Sequence, residues 1–187
     1  FQCPFFLEDK GRRLAGKGGL LFDYDFVKQL LSFNEILKQL GVKILDDKHY
    51  PLSSQSIKVA CVIGDGYGYL SALLRVVDPG LKVISINLGR TLFFDVFFSQ
   101  EYLPLENPVL LRKEGKNKLE LLAKHDLVFC EAENYHILEG MPIDIFINIA
   151  SMQEMDPQVI DKYFDYITSS TSSLVYFYCC NRLEKVL

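Results

Sequence analysis

Five short, near-continuously apolar runs constrain this chain more than any other feature. They are 58–63 (KVACVI), 82–88 (KVISINL), 126–130 (DLVFC), 143–149 (IDIFINI) and 174–179 (LVYFYC). Their length and their β-branched and aromatic content read as buried strands. Segments with helical character lie between them. Residues 69–77 are closed by the turn signal Asp78-Pro79-Gly80. Residues 91–102 read as an aromatic-rich helix or helix-loop, and 117–124 as another helix. A helix over 157–167 has Asp156 as N-cap and proline in its first position. Strands of this kind alternating with helices imply a mainly parallel sheet covered on both faces. Right-handed crossovers then gather the loops at the C-terminal strand ends, where such sheets bind ligands.

Upstream, 10–19 (KGRRLAGKGG) reads as a loop, 25–40 as an amphipathic helix stopped by Gly41, and 46–55 as a connector. The chain has 187 residues, enough for one domain with a real core. Its net charge of −4 argues against a whole-protein grip on nucleic acid. No apolar run is long enough to span a bilayer, and the first residues carry no signal-peptide pattern. Five cysteines, an odd number without a C-x-x-C pair, read as reduced thiols of a cytoplasmic protein. His49, His125 and His136 lack metal-ligand spacing, so no metal site is expected.

The segment Gly64-Asp65-Gly66-Tyr67-Gly68 follows the first run and opens a helix. Glycines there let the backbone turn sharply and approach a ligand beside the helix N-terminus. A dinucleotide fingerprint needs G-x-G-x-x-G, and Tyr69 occupies the place of its third glycine. The spacing G-x-G-x-G resembles the first motif of class I S-adenosylmethionine-dependent methyltransferases. That resemblance implies a polar ribose contact at the end of the second run, where Asn87 stands. It also implies an acidic residue where Val62 stands, and an acid in place of Asn87. A second glycine pattern, at 11–18, fits G-x-x-x-x-G-K but lacks both the Ser or Thr and the preceding strand of a phosphate loop.

A second segment, 144–155 (DIFINIASMQEM), precedes the helix containing Tyr163-Phe164. With the glycine loop and the YFYCCN run ending at Asn181, it resembles a family of sugar O-methyltransferases over about residues 58–182. The resemblance implies S-adenosyl-L-methionine as cofactor, S-adenosyl-L-homocysteine as product, and a small-molecule or saccharide acceptor. It implies cofactor contacts from Gly64, Asp65, Gly66, Tyr67, Gly68, Asn87, Leu88, Ala132 and Asn148. Glu154 is then the candidate base, with Gln153 or Ser151 orienting the sugar. The same Ser151-x-x-Glu154 spacing is also that of a capping box, which would merely satisfy a helix terminus. His136 is a rival base, whereas His125 precedes its strand and should sit at the wrong sheet edge.

Glu131 and Glu133 flank Ala132 where the adenine is expected. Phe93, Phe94, Phe97, Phe98 and Tyr102 recur at helical spacing and read as core before acceptor platform. Arg112, Lys113, Lys116 and Lys118 form a basic cluster that reads as a solvated loop.

The expected fold is therefore α/β, a three-layer Rossmann-like methyltransferase fold with strand order 3-2-1-4-5. Residues 1–55 are expected to form a helical appendage or cap and 56–187 the cofactor-binding domain. The class resembled has seven strands, so the C-terminal hairpin is expected to be missing, in a minimal variant or a piece of a longer chain. A catalytically inactive binding module is the alternative, favoured by Val62 and Asn87. A dinucleotide oxidoreductase is disfavoured by the glycine spacing.

Overall fold

The computed structural model describes residues 12, 24–42, 44–45, 48–49, 52–103, 107–112 and 118–182. Beyond helical Arg12, the described elements begin with helix α1 (Tyr24–Gln39), followed by a two-stranded antiparallel ladder of β1 (Ile44–Leu45) and β2 (Lys48–His49). Then come β3 (Val59–Ile63), α2 (Tyr69–Val77), β4 (Lys82–Asn87), α3 (Gly89–Tyr102), β5 (Pro108–Leu111) and α4 (Lys118–Lys124). The order continues with β6 (Leu127–Glu131), β7 (Ile145–Ile149), α5 (Pro157–Thr168) and β8 (Tyr176–Cys180). One sheet holds six strands in the order β5-β6-β4-β3-β7-β8, and every pairing is parallel.

Burial on both faces explains the apolar runs of the four inner strands β3, β4, β6 and β7, while edge strand β8 is exposed or half-buried. Successive side chains of a strand point to opposite sides. Ala60 and Val62 of β3 therefore join Val83, Leu127, Ile145 and Ile147 in one cluster, with Leu73 and Leu74 of α2. Val59, Cys61 and Ile63 join Ile84, Val128 and Phe146 in another, with Tyr163, Tyr166 and Ile167 of α5. The result is a three-layer, Rossmann-like α/β architecture.

The five expected strands occur in the expected order. The sheet differs by a sixth strand, β5, added at the edge beside β6. Its four residues (PVLL) are apolar but half-buried, and the run is shorter than those of the inner strands. The expected connector contains the short β2 and a 3-10 turn, Leu52–Gln55. Gly41 does stop α1: it adopts φ 69°, and the Gly41 and Val42 N–H groups bond the Lys38 and Leu37 carbonyls at 3.0 and 2.9 Å. Asp156 is the N-cap residue of α5, though its side chain makes no capping bond. Helix α1 has no core of its own. Leu30, Phe33, Ile36 and Leu37 belong to the cluster under α2 and the sheet. Among the described residues no helix is long and apolar enough to cross a membrane, and no strand follows β8. Cys3 and, apart from Arg12, the 11–18 glycine pattern lie outside the described residues.

Candidate functional site

Strand β3 ends at the centre of the sheet, and its continuation is the glycine loop. Gly64, Gly66 and Gly68 all adopt left-handed φ values, 74°, 76° and 78°. Each serves a different approach. A Cβ on Gly64 would lie 2.3 Å from Ser151 Oγ, so the loop can touch the segment after β7 only without a side chain. A Cβ on Gly68 would lie 3.0 Å from Asp95 Cα, so the loop packs tightly on α3. At Gly66 nothing stands within 4 Å, and this residue faces the cavity described below. Asp65 is buried and accepts the Leu70 and Ser71 N–H groups at 2.9 and 2.7 Å, capping α2 from inside the loop. Burial raises its carboxyl above the usual range, against those stabilising bonds.

Asn87, at the end of β4, ties this loop to α3. Its Nδ2 donates to the Gly66 carbonyl at 3.1 Å and to Asp95 Oδ2 at 3.2 Å. Its Oδ1 accepts the Leu88 N–H at 3.0 Å and the Thr91 hydroxyl at 2.8 Å. All four hydrogen-bonding capacities of the amide are in use. Asp95 also accepts from Ser85 Oγ at 2.9 Å. Burial and the neighbouring Asp65 charge push its carboxyl up to about 8.

After β7 the chain turns through Ala150, a non-glycine residue at φ 61°, into a 3-10 turn, Met152–Glu154. The capping box does not form. Ser151 makes no side-chain cap bond; its hydroxyl donates to the Ile63 carbonyl at 2.9 Å and accepts from Asn148 Nδ2. Asn148 is fully buried, and its Oδ1 accepts from Met152 N at 3.2 Å and Asn181 Nδ2 at 2.9 Å. This network clamps the turn onto the end of β3. It leaves Glu154 exposed, its Oε1 accepting from Gln153 Nε2 at 3.2 Å and lying 3.5 Å from Arg182.

These parts surround a cavity of about 510 Å³ at the C-terminal ends of β3, β4, β6 and β7. Its walls include Gly64, Asp65, Gly66, Tyr67, Asn87 and Leu88, and also Ala132, Ser151, Gln153 and Glu154. Gly68 and Asn148, expected as cofactor contacts, do not line it; both brace it from behind. Glu131 also lies off the cavity, where its carboxylate accepts from Asn134 at 3.2 Å. His125 bonds the Asn107 carbonyl at the opposite sheet edge, and exposed His136 stays outside the cavity too.

Sequence reasoning missed Asp25, Lys28 and Gln29 of α1, Tyr163 of α5, and Arg182. No spacing rule connects them to the loop. The core reading of the phenylalanines holds for Phe98 alone. Phe93, Phe94 and Phe97 are 67%, 48% and 52% exposed, and Phe94 meets Tyr67 edge-on at 5.6 Å. The side chain of Tyr102, like Lys113 and Lys116, lies outside the described residues. Arg112 and Lys118 do not reach the cavity.

The cavity suits a small molecule. The volume falls within the range of small-molecule sites, about 300–1,000 Å³. The open face of Gly66 lets backbone approach a ligand. One lining side chain, Gln29, keeps a buried Oε1 without a hydrogen-bond partner among the described residues. No group of three or more His, Cys, Asp or Glu residues positioned to hold a metal occurs among the described residues.

No family model and no curated protein matches the sequence. Among solved structures, the chain is similar to the mitomycin 7-O-methyltransferase MmcR, with 13% identity and TM-score 0.41, covering 79% of this chain and 35% of that one. It is similar to the pyocyanin biosynthetic protein PhzM, with 13% identity and TM-score 0.43, covering 75% and 33%. The METTL16 methyltransferase domain aligns at 12% identity and TM-score 0.36, covering 89% and 73%. The chain spans about a third of the length of the first two.

Proposed function

We propose that this chain is an S-adenosylmethionine-dependent O-methyltransferase acting on a hydroxyl of a sugar or saccharide conjugate. The observation that carries the reading is the run of three left-handed glycines at the end of β3. There the strand order reverses between β4 and β7, the place where open parallel sheets bind ligands. The sugar class is supported by the SMQEM segment, whose turn brings a carboxylate and an amide to the cavity wall.

When bound, the cofactor supplies an electrophilic methyl group. The chain positions the acceptor and handles its proton. Glu154 is the group we assign to take the hydroxyl proton, and Gln153 orients the acceptor beside it. Ser151, spent on the Ile63 carbonyl, holds the turn against the glycine loop rather than the sugar. Leu88 and Ala132 are assigned to the adenosine. Asn87 acts chiefly through the loop, because a ribose diol would have to displace Thr91 or Asp95 from its amide. A cytoplasmic setting fits the unpaired thiols Cys61, Cys130, Cys179 and Cys180.

Calorimetry with S-adenosylhomocysteine and with NAD tests the cofactor. Binding of the first alone is the expected result. Binding of NAD alone would mean an oxidoreductase, and binding of neither would favour an inactive module, the reading to which the committed Asn87 amide lends weight. Glu154→Gln should lower turnover by about 10²–10⁴-fold and leave S-adenosylhomocysteine affinity within about twofold. Unchanged turnover would remove Glu154 as the base.

A further inference from the structure

Helix α3 turns the usual arrangement of a surface helix inside out. Beside Leu92 and Phe98 it buries Asp95 and Ser99, and it exposes Phe93, Phe94 and Phe97. Helical spacing puts these three rings on one side. A contiguous run of large exposed apolar side chains marks a place where something binds. Ring contacts hold the run in a row. Phe94 meets Tyr67 edge-on at 5.6 Å, and Phe93 meets Phe94 edge-on at 5.9 Å. Phe97 lies near-parallel to Phe93, at 6.4 Å and 18°. Tyr67 lines the cavity and is more than half exposed, so it stands at the rim. The three phenylalanines lie off the cavity. The row therefore starts at the cavity and leads away from it across α3.

Size, charge and chemistry choose what covers it. The four rings leave on the order of 400 Å² open, whereas a stable protein interface buries about 800 Å² on each partner. The row is too small to hold a second copy of the chain by itself. Arg90 is the only charged side chain that α3 exposes among the described residues, and the net charge is −4. Anionic lipid surfaces hold proteins through basic clusters, which this face lacks. Phenylalanine has no polar atom, so sugar hydroxyls gain no partner here, while an apolar group gains burial. A cavity of about 510 Å³ is filled by roughly one small molecule. With the cofactor inside, it has room for the reacting end of an acceptor, and the remainder must lie outside. We propose that the ring row of Tyr67 and α3 binds the apolar aglycone of the acceptor, so that the substrate is an alkyl or aryl glycoside and not a free sugar. The assignment rests on the saccharide reading above and narrows its substrate class.

The test measures methyl transfer by the full chain from S-adenosylmethionine to matched methyl, octyl and phenyl glycosides of the common hexoses, below their micelle concentrations. The octyl or the phenyl series should show a KM about tenfold below that of the methyl series, the effect of burying about two methylene groups. The series that gains tells an alkyl tail from an aryl one. The double variant Phe93→Ser, Phe97→Ser should reduce that advantage to about twofold or less. Both side chains are more than half exposed, so the variant should fold. Its S-adenosylhomocysteine affinity by calorimetry should stay within about twofold of the parent's, since neither ring lines the cavity. Equal KM values across the three series, or an advantage that the double variant keeps, would overturn the aglycone assignment and leave the methyltransferase reading standing. A dimer in sedimentation velocity that the double variant abolishes would give the rings to a second copy instead. Flotation with phosphatidylcholine vesicles that it abolishes would give them to a lipid surface. Binding of S-adenosylhomocysteine with methylation of none of the glycosides would overturn the saccharide reading and this assignment together.

Discussion

Two glycines separated only by Asp65 have different constraints. Gly64 has both a left-handed φ and a hydroxyl where its Cβ would be, whereas Gly66 has the φ but open space. Gly64→Ala should therefore destabilise the fold by more than about 2 kcal/mol, backbone strain plus overpacking. Gly66→Ala should cost about 1–2 kcal/mol for the backbone alone, yet lose ligand affinity because its methyl enters the cavity. Urea midpoints and calorimetry on the two variants separate these outcomes. The buried acids make a pH prediction. Asp95 releases its proton at about 8 in the fold and at about 3.9 when unfolded. The folded state thus holds more protons between these values. Stability should fall as pH rises from about 4 to about 8, by at most about 1.4 kcal/mol per pH unit from this group, and level off above. Asp95→Asn should remove that component, seen as a flatter urea-midpoint profile across the same range.

Helix α1 is held by its apolar stripe. Phe33 is fully buried in the cluster that contains Val62, Leu70 and Val83. Phe33→Ala should cost about 3–5 kcal/mol. If α1 and the sheet form one unit, far-UV circular dichroism and tyrosine fluorescence should report the same shifted transition. Two separate transitions would make α1 an independent element. What was readable at this scale follows from burial. The inner strands announce themselves because two-sided burial demands uninterrupted apolar residues. Strand β5 is apolar throughout too (PVLL), but four residues opened by a proline are too short to stand out, whereas the other edge strand, β8, is legible from its longer run. The glycine loop is readable because its backbone conformation restricts residue type. The part α1 plays at the cavity is not: amphipathic spacing shows that one face is covered, but not what lies at its rim. The exposed phenylalanines of α3 mislead for a related reason, since helical spacing alone cannot say which aromatic faces inward.

Across the whole molecule, the cavity is built from widely separated pieces. Its walls come from α1, the glycine loop, the end of β4, Ala132, the turn after β7, α5 and Arg182. Bringing them together requires parallel pairings such as Ala60 with Ile145, which join distant parts of the chain. Such non-local pairings are slow to form. A site completed only when all of them are in place exists in the native state and not in the folding transition state. Its ligand should therefore act almost wholly on the unfolding rate. At a hundred times its Kd, S-adenosylhomocysteine should add about 2.7 kcal/mol of stability. Stopped-flow chevrons should show this as roughly hundredfold slower unfolding with an unchanged folding limb. Where protease attack is limited by unfolding, the chain's lifetime would then follow the supply of the ligand that fills this cavity, and starvation for it would shorten that lifetime without any change in synthesis.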